Sequence, residues 1–218
     1  MSAPNLPGEG QYLRADQIAM PPPVALLSEP GKRLYWTLQG PLSTSISVMG
    51  EDLDPDAPRE AYFRQTLAGT TWHPVAREPV TEQPVASLTV HEENLADWQD
   101  EWWTANQEGL DEDVQPAPGA EPPRLEPLVV TAASNGEFVT VHDFVSAVHP
   151  WLMARREQIL RAKNVDDEDY TPDPGARLLV AADRPEMVIA EDEDEWLGAL
   201  RWAFGERRRG QQASTNTG

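Results

Sequence analysis

Val139-Thr140-Val141-His142-Asp143-Phe144-Val145-Ser146-Ala147-Val148-His149 is where two periodicities meet. Phe138 to Val141 reads as a short β-rich run. From Val141 onward the apolar positions Val141, Phe144, Val145, Val148 and Leu152 recur at helical spacing, and Ile159 follows. Thr140 with Asp143 three residues later has the form of a capping box, in which each side chain takes the other's backbone N–H. The spacing predicts a helix over about 141–163. Pro150 interrupts it by removing an amide donor and crowding a carbonyl one turn back. A kink is therefore expected, or two helices meeting at His149. Arg155, Arg156, Arg161 and Lys163 sit in the C-terminal half, where cations suit the helix dipole.

Working outward, Leu128-Val129-Val130-Thr131-Ala132 is β-rich and leads into Ser134-Asn135-Gly136. Asn-Gly between two β-rich runs is a strong hairpin signal, because both residues tolerate positive φ. Half-buried alternation marks strands at Arg33–Leu38, Thr44–Val48 and Val85–Val90, and shorter ones at Leu178–Val180 and Met187–Ala190. Trp196–Phe204 supports two readings: Ala and Leu favour a helix, whereas the aromatics and Gly198 fit a closing strand. The fold class expected is α+β, a small, mainly antiparallel sheet packed against one kinked helix, with acidic loop insertions and disordered tails. A proline-rich arm spans residues 1–30, from which Val24, Leu26 and Leu27 can dock on the core. A single domain spans 31–204, interrupted by an acidic, tryptophan-bearing insertion at 91–126. A tail spans 205–218.

Composition narrows the function classes. The 218 residues carry a formal charge of −20, with 17 Lys and Arg against 37 Asp and Glu. A phosphate backbone is bound mainly by basic side chains, so no nucleic-acid partner is expected. Absence of cysteine excludes disulfides, thiol nucleophiles and thiolate metal sites. No apolar run reaches the roughly 18 residues a membrane span requires, and no membrane partner is expected. The polar, proline-broken start lacks the features of a secretory or transit peptide, which leaves a cytoplasmic or nuclear location as the expectation. Arg207-Arg208-Arg209 is too short for a nuclear import signal.

The order of features resembles a fungal family known only as domain of unknown function number 6699. The resemblance rests on the tryptophan-bearing Leu34-Tyr35-Trp36-Thr37-Leu38, the proline-introduced strand after Glu78–Pro84, Pro127-Leu128-Val129-Val130-Thr131, the junction Val139–His149 and the late Trp196-Leu197-Gly198-Ala199-Leu200. It covers roughly residues 33–48, 78–90 and 127–203. The chain departs from the pattern in the acidic insertion, in Pro150 and in the acidic stretch before Trp196. The resemblance implies a small α+β domain and transfers no activity and no site residues.

Chemical motifs are sparse. His142 and His149 are two helical turns apart, but metal ligation needs a third ligand, and neither HxxxH nor HExxH spacing occurs. They read as a cap-region histidine and a pre-proline histidine at a kink. There is no G-x-S-x-G elbow and no phosphate-binding glycine loop. The run Asp167-x-Asp169 begins like a calcium loop, but Pro172 occupies the position that requires glycine. No cofactor, no metal site and no catalytic residue is expected. The sharpest candidate is the segment His91–Pro123, with ten acidic residues and no Lys or Arg. Leu95, Trp98 and Trp102 fall on one helical stripe beside Trp103. These four are candidate protein-binding residues, since acidic chains interleaved with large aromatics fold against partner grooves. The alternative is that Trp98 and Trp102 dock on their own domain. Trp36, Trp72, Trp151, Trp196 and Trp202 read as core anchors. The expected function is a non-catalytic, acidic protein-interaction module with an unidentified protein partner; the alternative is a small-ligand-binding or hydrolytic domain.

Overall fold

The computed structural model describes residues 25–67, 69–107, 121–133, 136–165, 167 and 169–215. The capping box forms as its residue types dictate: Thr140 Oγ1 accepts from Asp143 N (3.1 Å), and Asp143 Oδ2 accepts from Thr140 N (3.0 Å). Such a cap contributes about 1 kcal/mol. It opens α4 (Val141–Met153), which follows the single turns α1 (Glu29–Lys32) and α2 (Leu42–Ser45) and the acidic α3 (Glu93–Gln107) and buries Val141, Phe144, Val145, Val148, His149 and Leu152. The helix continues through Pro150 and ends at Met153, one turn later. Arg155 N turns to the Leu152 carbonyl at 2.9 Å, a tightened final turn, and α5 (Arg156–Ala162) follows. The missing Pro150 donor therefore does not place the break at His149.

Four strands form one sheet in the order β7-β6-β9-β8, with β6 at Ser87–Glu92, β7 at Leu128–Thr131, β8 at Leu178–Arg184 and β9 at Met187–Asp192. Two of its three pairings, β6 with β7 and β8 with β9, are antiparallel, but β6 and β9 run parallel, with His91 opposite Met187. A second, antiparallel sheet orders β1 (Leu34–Trp36), β2 (Ile46–Val48) and β3 (Glu60–Ala61). The two sheets meet at a single bridge, Thr37 with Leu179, reinforced by Leu38 N donating to the Leu178 carbonyl at 2.8 Å. Strand alternation sorts side chains between two clusters. Leu34, Trp36, Ile46, Val48, Leu88, Val90, Leu178, Val180, Val188 and Ala190 face the main core with α4 and α5. Tyr35, Met49 and Leu179 face the other way, under Trp196, Leu197 and Leu200 of α6 (Glu193–Thr215).

The structure decides one open reading and corrects several expectations. Trp196–Phe204 is helical, and the helix continues through the segment expected to be a tail. Its aromatic residues fit because one side of the helix rests on the outer cluster. The chain after Gly136 does not fold back on β7 as a hairpin; Ser134 and Asn135 lie outside the described residues. Instead Val139 N donates to Val85 O (2.8 Å), Val80 N donates to Val139 O (3.1 Å), and Thr140 bridges Pro79. Backbone partners in 79–85 outcompete the local turn. The N-terminal arm docks at Leu27, as expected, and so joins the domain before residue 31, whereas Leu26 is exposed. Leu27 is buried, its N–H donates to Asp183 O, and Ser28 N donates to Val80 O; Val24 lies outside the described residues. The insertion expected at 91–126 is partly integral, since β6 runs to Glu92 and α3 (Glu93–Gln107) packs on α5 and β9. An antiparallel hairpin that the pattern did not reveal, β4 (Phe63–Thr66) with β5 (Gly69–Trp72), projects outward with nearly every residue exposed.

Candidate functional site

The acidic helix α3 starts directly from β6, and Glu92 makes the junction. Its carboxylate is buried and accepts from Leu95 N (2.8 Å), Asn94 Nδ2 (2.7 Å) and Ala190 N (3.3 Å). It thus holds the first turn of α3 and ties it to β9. Burial pushes the Glu92 carboxyl above its ordinary range, against the pull of those donors.

Along α3 the stripe Leu95, Trp98, Trp102 turns inward at its start and outward at its end. Leu95 is 1% exposed and Trp98 6%, and both belong to the main core. Trp102 is intermediate, whereas Trp103 is 51% exposed. The two indoles meet edge to face, with centroids 5.8 Å apart at 85°. Asp100 and Glu101 are exposed beside them, and Asp97 is exposed a turn earlier on the same helix. Of the four candidate protein-binding residues, Leu95 and Trp98 are thus spent on the helix's own anchorage. The structure leaves Trp103, with Trp102 against it, at the acidic outer end.

The histidines are engaged in structure. His149 is buried; its Nδ1 accepts from Trp36 Nε1 at 3.0 Å, and its Nε2 lies 2.9 Å from the Gly40 carbonyl, which places the ring hydrogen on Nε2. Gly40 reaches this position at φ +67, a conformation that suits glycine. His142 lies near the same azimuth but about 10 Å away along the helix, so the two rings do not converge. It packs against Trp72 with ring centroids 4.4 Å apart and planes inclined at 47°, lies 3.4 Å from the Tyr62 hydroxyl, and has Ser146 Oγ equidistant from both ring nitrogens at 3.4 Å. A hydroxyl side-on to the ring is not poised to give it a proton. Burial lowers the His142 pKa, with Asp143 opposing. Asp143 is engaged by Thr140 at the cap and acts on His142 through its charge.

Another charged cluster locks α6 onto the sheet. Glu193 receives hydrogen bonds from Tyr35 and Arg177, and the Arg59 guanidinium lies 3.4 Å above the Tyr35 ring. Burial alone would raise the Glu193 pKa, but Tyr35, Arg177 and Arg59 together hold it below the usual carboxylate range. Burial, followed by the Glu193 carboxylate, raises the Tyr35 hydroxyl. Among the described residues no group of three His, Asp or Glu side chains is arranged to hold a metal ion. Among them, too, no helix is long and apolar enough to cross a membrane.

The core-anchor reading of the remaining tryptophans holds for Trp36 at 3% exposure but fails for Trp202 at 68%; Trp72 is 37% exposed. Trp202 stands about 200° around the helix from Leu200, which faces the outer cluster. That offset is visible in the sequence once 196–204 is taken as a helix. Comparison with known proteins finds no matching family model, no matching curated protein and no matching solved structure.

Proposed function

We propose that this chain is a non-catalytic protein-interaction module and that the outer end of α3 is its docking element. The observation that supports this reading is the division of labour along one helix. Leu95 and Trp98 fix its start in the core, while Trp103 is held half exposed beside Asp100 and Glu101. A rigid helix presenting an indole loses little conformational entropy on binding, and tryptophan is enriched at interface hot spots. The surrounding carboxylates suit a partner whose apolar seat is rimmed by Lys or Arg. The resemblance to the fungal family of unknown function enters the same proposal; the tryptophan-bearing strand and the strand-to-helix junction support it, and it adds no activity.

A hydrolytic reading asks for a histidine paired with a carboxylate in a cavity. His149 is saturated by Trp36 and Gly40, and His142 shares no bond with a carboxylate in the hydrogen bonds described above. The test compares the proteins retained by the intact chain with those retained by Trp103→Ser and by Trp102→Ser/Trp103→Ser, each first shown to unfold at the wild-type midpoint. The expected result is loss of a defined partner. Identical partner sets from the folded variants would refute the proposal.

A further inference from the structure

The flank of α6 turned toward the domain carries an apolar stripe that the core only half covers. Trp196, Leu200, Phe204 and Arg207 lie within about 80° of one another around the helix. The first three are each of intermediate burial. Two hollows lie beside them. The inner one, about 250 Å³, sits where β1 and β8 part after the Thr37–Leu179 bridge, and Leu34, Trp36, Leu53, Val180, Trp196 and Leu200 give it an apolar wall. The outer one, about 430 Å³, is lined by Phe204, Arg207 and Arg208 from α6 and by Glu29, Glu51 and Asp52 from the rest of the domain. Leu53 and Lys32 line both, so the two join into one groove along the helix.

The carboxylates of the outer hollow are already engaged, whereas its guanidiniums are not. Glu29 lies 2.8 Å from Lys32 Nζ, Asp52 Oδ1 accepts from Asp54 N at 3.4 Å, and the Glu51 side chain is 92% exposed with Arg33 at 4.0 Å. Arg207 donates to the Asp52 backbone carbonyl at 3.4 Å, which holds it over the groove. Both Arg207 and Arg208 lie against the Phe204 ring, 5.9 and 5.8 Å from its centre. Among the described residues neither has a carboxylate within 4.0 Å. The groove is thus apolar at its inner end and offers two uncommitted cations at its mouth, on a chain of charge −20. Its length is set by the helix, which rises about 16 Å from Trp196 to Arg207. An extended alkyl chain advances about 1.25 Å per carbon, so about twelve carbons span it.

We propose that this groove binds a straight-chain fatty acid of about twelve carbons, with its tail in the apolar hollow and its carboxylate against Arg207 and Arg208. Two guanidiniums recognise a carboxylate through charge-assisted hydrogen bonds. A neutral alcohol of the same length fills the hollow but leaves them unmatched, and an alkyl cation opposes them. Neither Trp102 nor Trp103 lines the groove, so the proposal stands apart from the α3 reading.

Titration of the full chain with octanoate, decanoate, dodecanoate and tetradecanoate below micelle formation, followed by calorimetry and by the unfolding midpoint, tests it. One carboxylate per chain is expected to bind, about fourfold tighter for each methylene up to about twelve carbons and no tighter beyond. Decanol and decyltrimethylammonium are expected to bind at least about tenfold more weakly than decanoate. A loss of about tenfold is also expected for dodecanoate on Arg207→Gln/Arg208→Gln, which changes two exposed side chains. Leu53→Asn, which puts a polar group where the hollows join, should weaken binding as much; asparagine readily adopts the φ of 54 found there. If Leu53→Asn loses the wild-type circular dichroism, the head-group series and the arginine variant decide the matter. No shift of the midpoint at about 1 mM dodecanoate, or binding that fails to saturate at one per chain, would overturn the proposal. So would equal binding of the decyl cation, or unchanged affinity in either variant that keeps the wild-type spectrum.

Discussion

Replacing Glu92 by alanine tests how α3 is joined to the sheet. Two backbone donors, Leu95 N and Ala190 N, lose their acceptor in a buried place, and Asn94 loses one of two bonds. Charge-assisted bonds of this kind contribute about 1.5–3 kcal/mol each, the long one from Ala190 less, for a gross loss of about 5 kcal/mol. Removing the buried carboxylate also ends a desolvation cost that exceeds the charge-assisted part of those bonds, and what remains near neutral pH is the cost of stranding two buried backbone donors, about 3 kcal/mol. For a chain of this size that is a fall in Tm of about 6–12 °C. The pH dependence carries a definite sign. Glu92 titrates above its ordinary value when folded, so the stability it supplies is fully present below the unfolded pKa and is lost as pH rises through the folded one. Urea unfolding of wild type and Glu92→Ala at a series of pH values should show a gap widest in acid that narrows upward. A gap that widens with pH would mean that the donors outweigh burial and would refute the reasoning, as would a gap below about 1 kcal/mol at every pH.

Other outcomes follow from the same structure. His149→Leu strands the Trp36 indole donor and the Gly40 carbonyl, and should cost about 2–4 kcal/mol in urea unfolding, whereas Gly40→Ala at φ +67 should cost about 1 kcal/mol. Deleting residues 93–121 should abolish a cooperative unfolding transition, because Leu95 and Trp98 leave the core with it; a retained sharp transition would show that α3 is dispensable. Burial lowers the pKa of His142, so the stability of its neutral form is present above about pH 6.5 and lost as pH falls. The Tm of His142→Gln should therefore fall less than that of wild type between about pH 7 and pH 5.

What the sequence disclosed was local. The Thr140–Asp143 cap, the buried face of α4 and the alternation of Leu34–Trp36, Ser87–Glu92 and Leu178–Val180 are all set by near neighbours, and each lies where the pattern places it. Non-local competition was hidden. The Asn135-Gly136 signal gave no hint that Val139 would find its acceptor on Val85, and nothing in β6 or β9 alone indicates that they pair in parallel. The β4–β5 hairpin escaped because it buries neither face, so it has no apolar alternation to read. At the candidate site the stripe Leu95, Trp98, Trp102 was legible. Acidic composition, however, obscured that its first two members belong to the core, and it is their burial that leaves the exposed role to Trp103.

The Thr37–Leu179 bridge joins strands made at opposite ends of the chain. During synthesis β1 and β2 emerge early, yet their neighbour β8 begins at residue 178 and the parallel partner of β6 at 187. Until then both nascent pieces expose unpaired edges and half of a core. A ribosome stalled near residue 170 therefore holds a chain with most of its hydrophobic residues and a four-stranded sheet that still lacks β8 and β9, a state prone to edge-to-edge aggregation. Closure waits for β8 and β9, so the four-stranded sheet cannot be completed before residue 192 has been made.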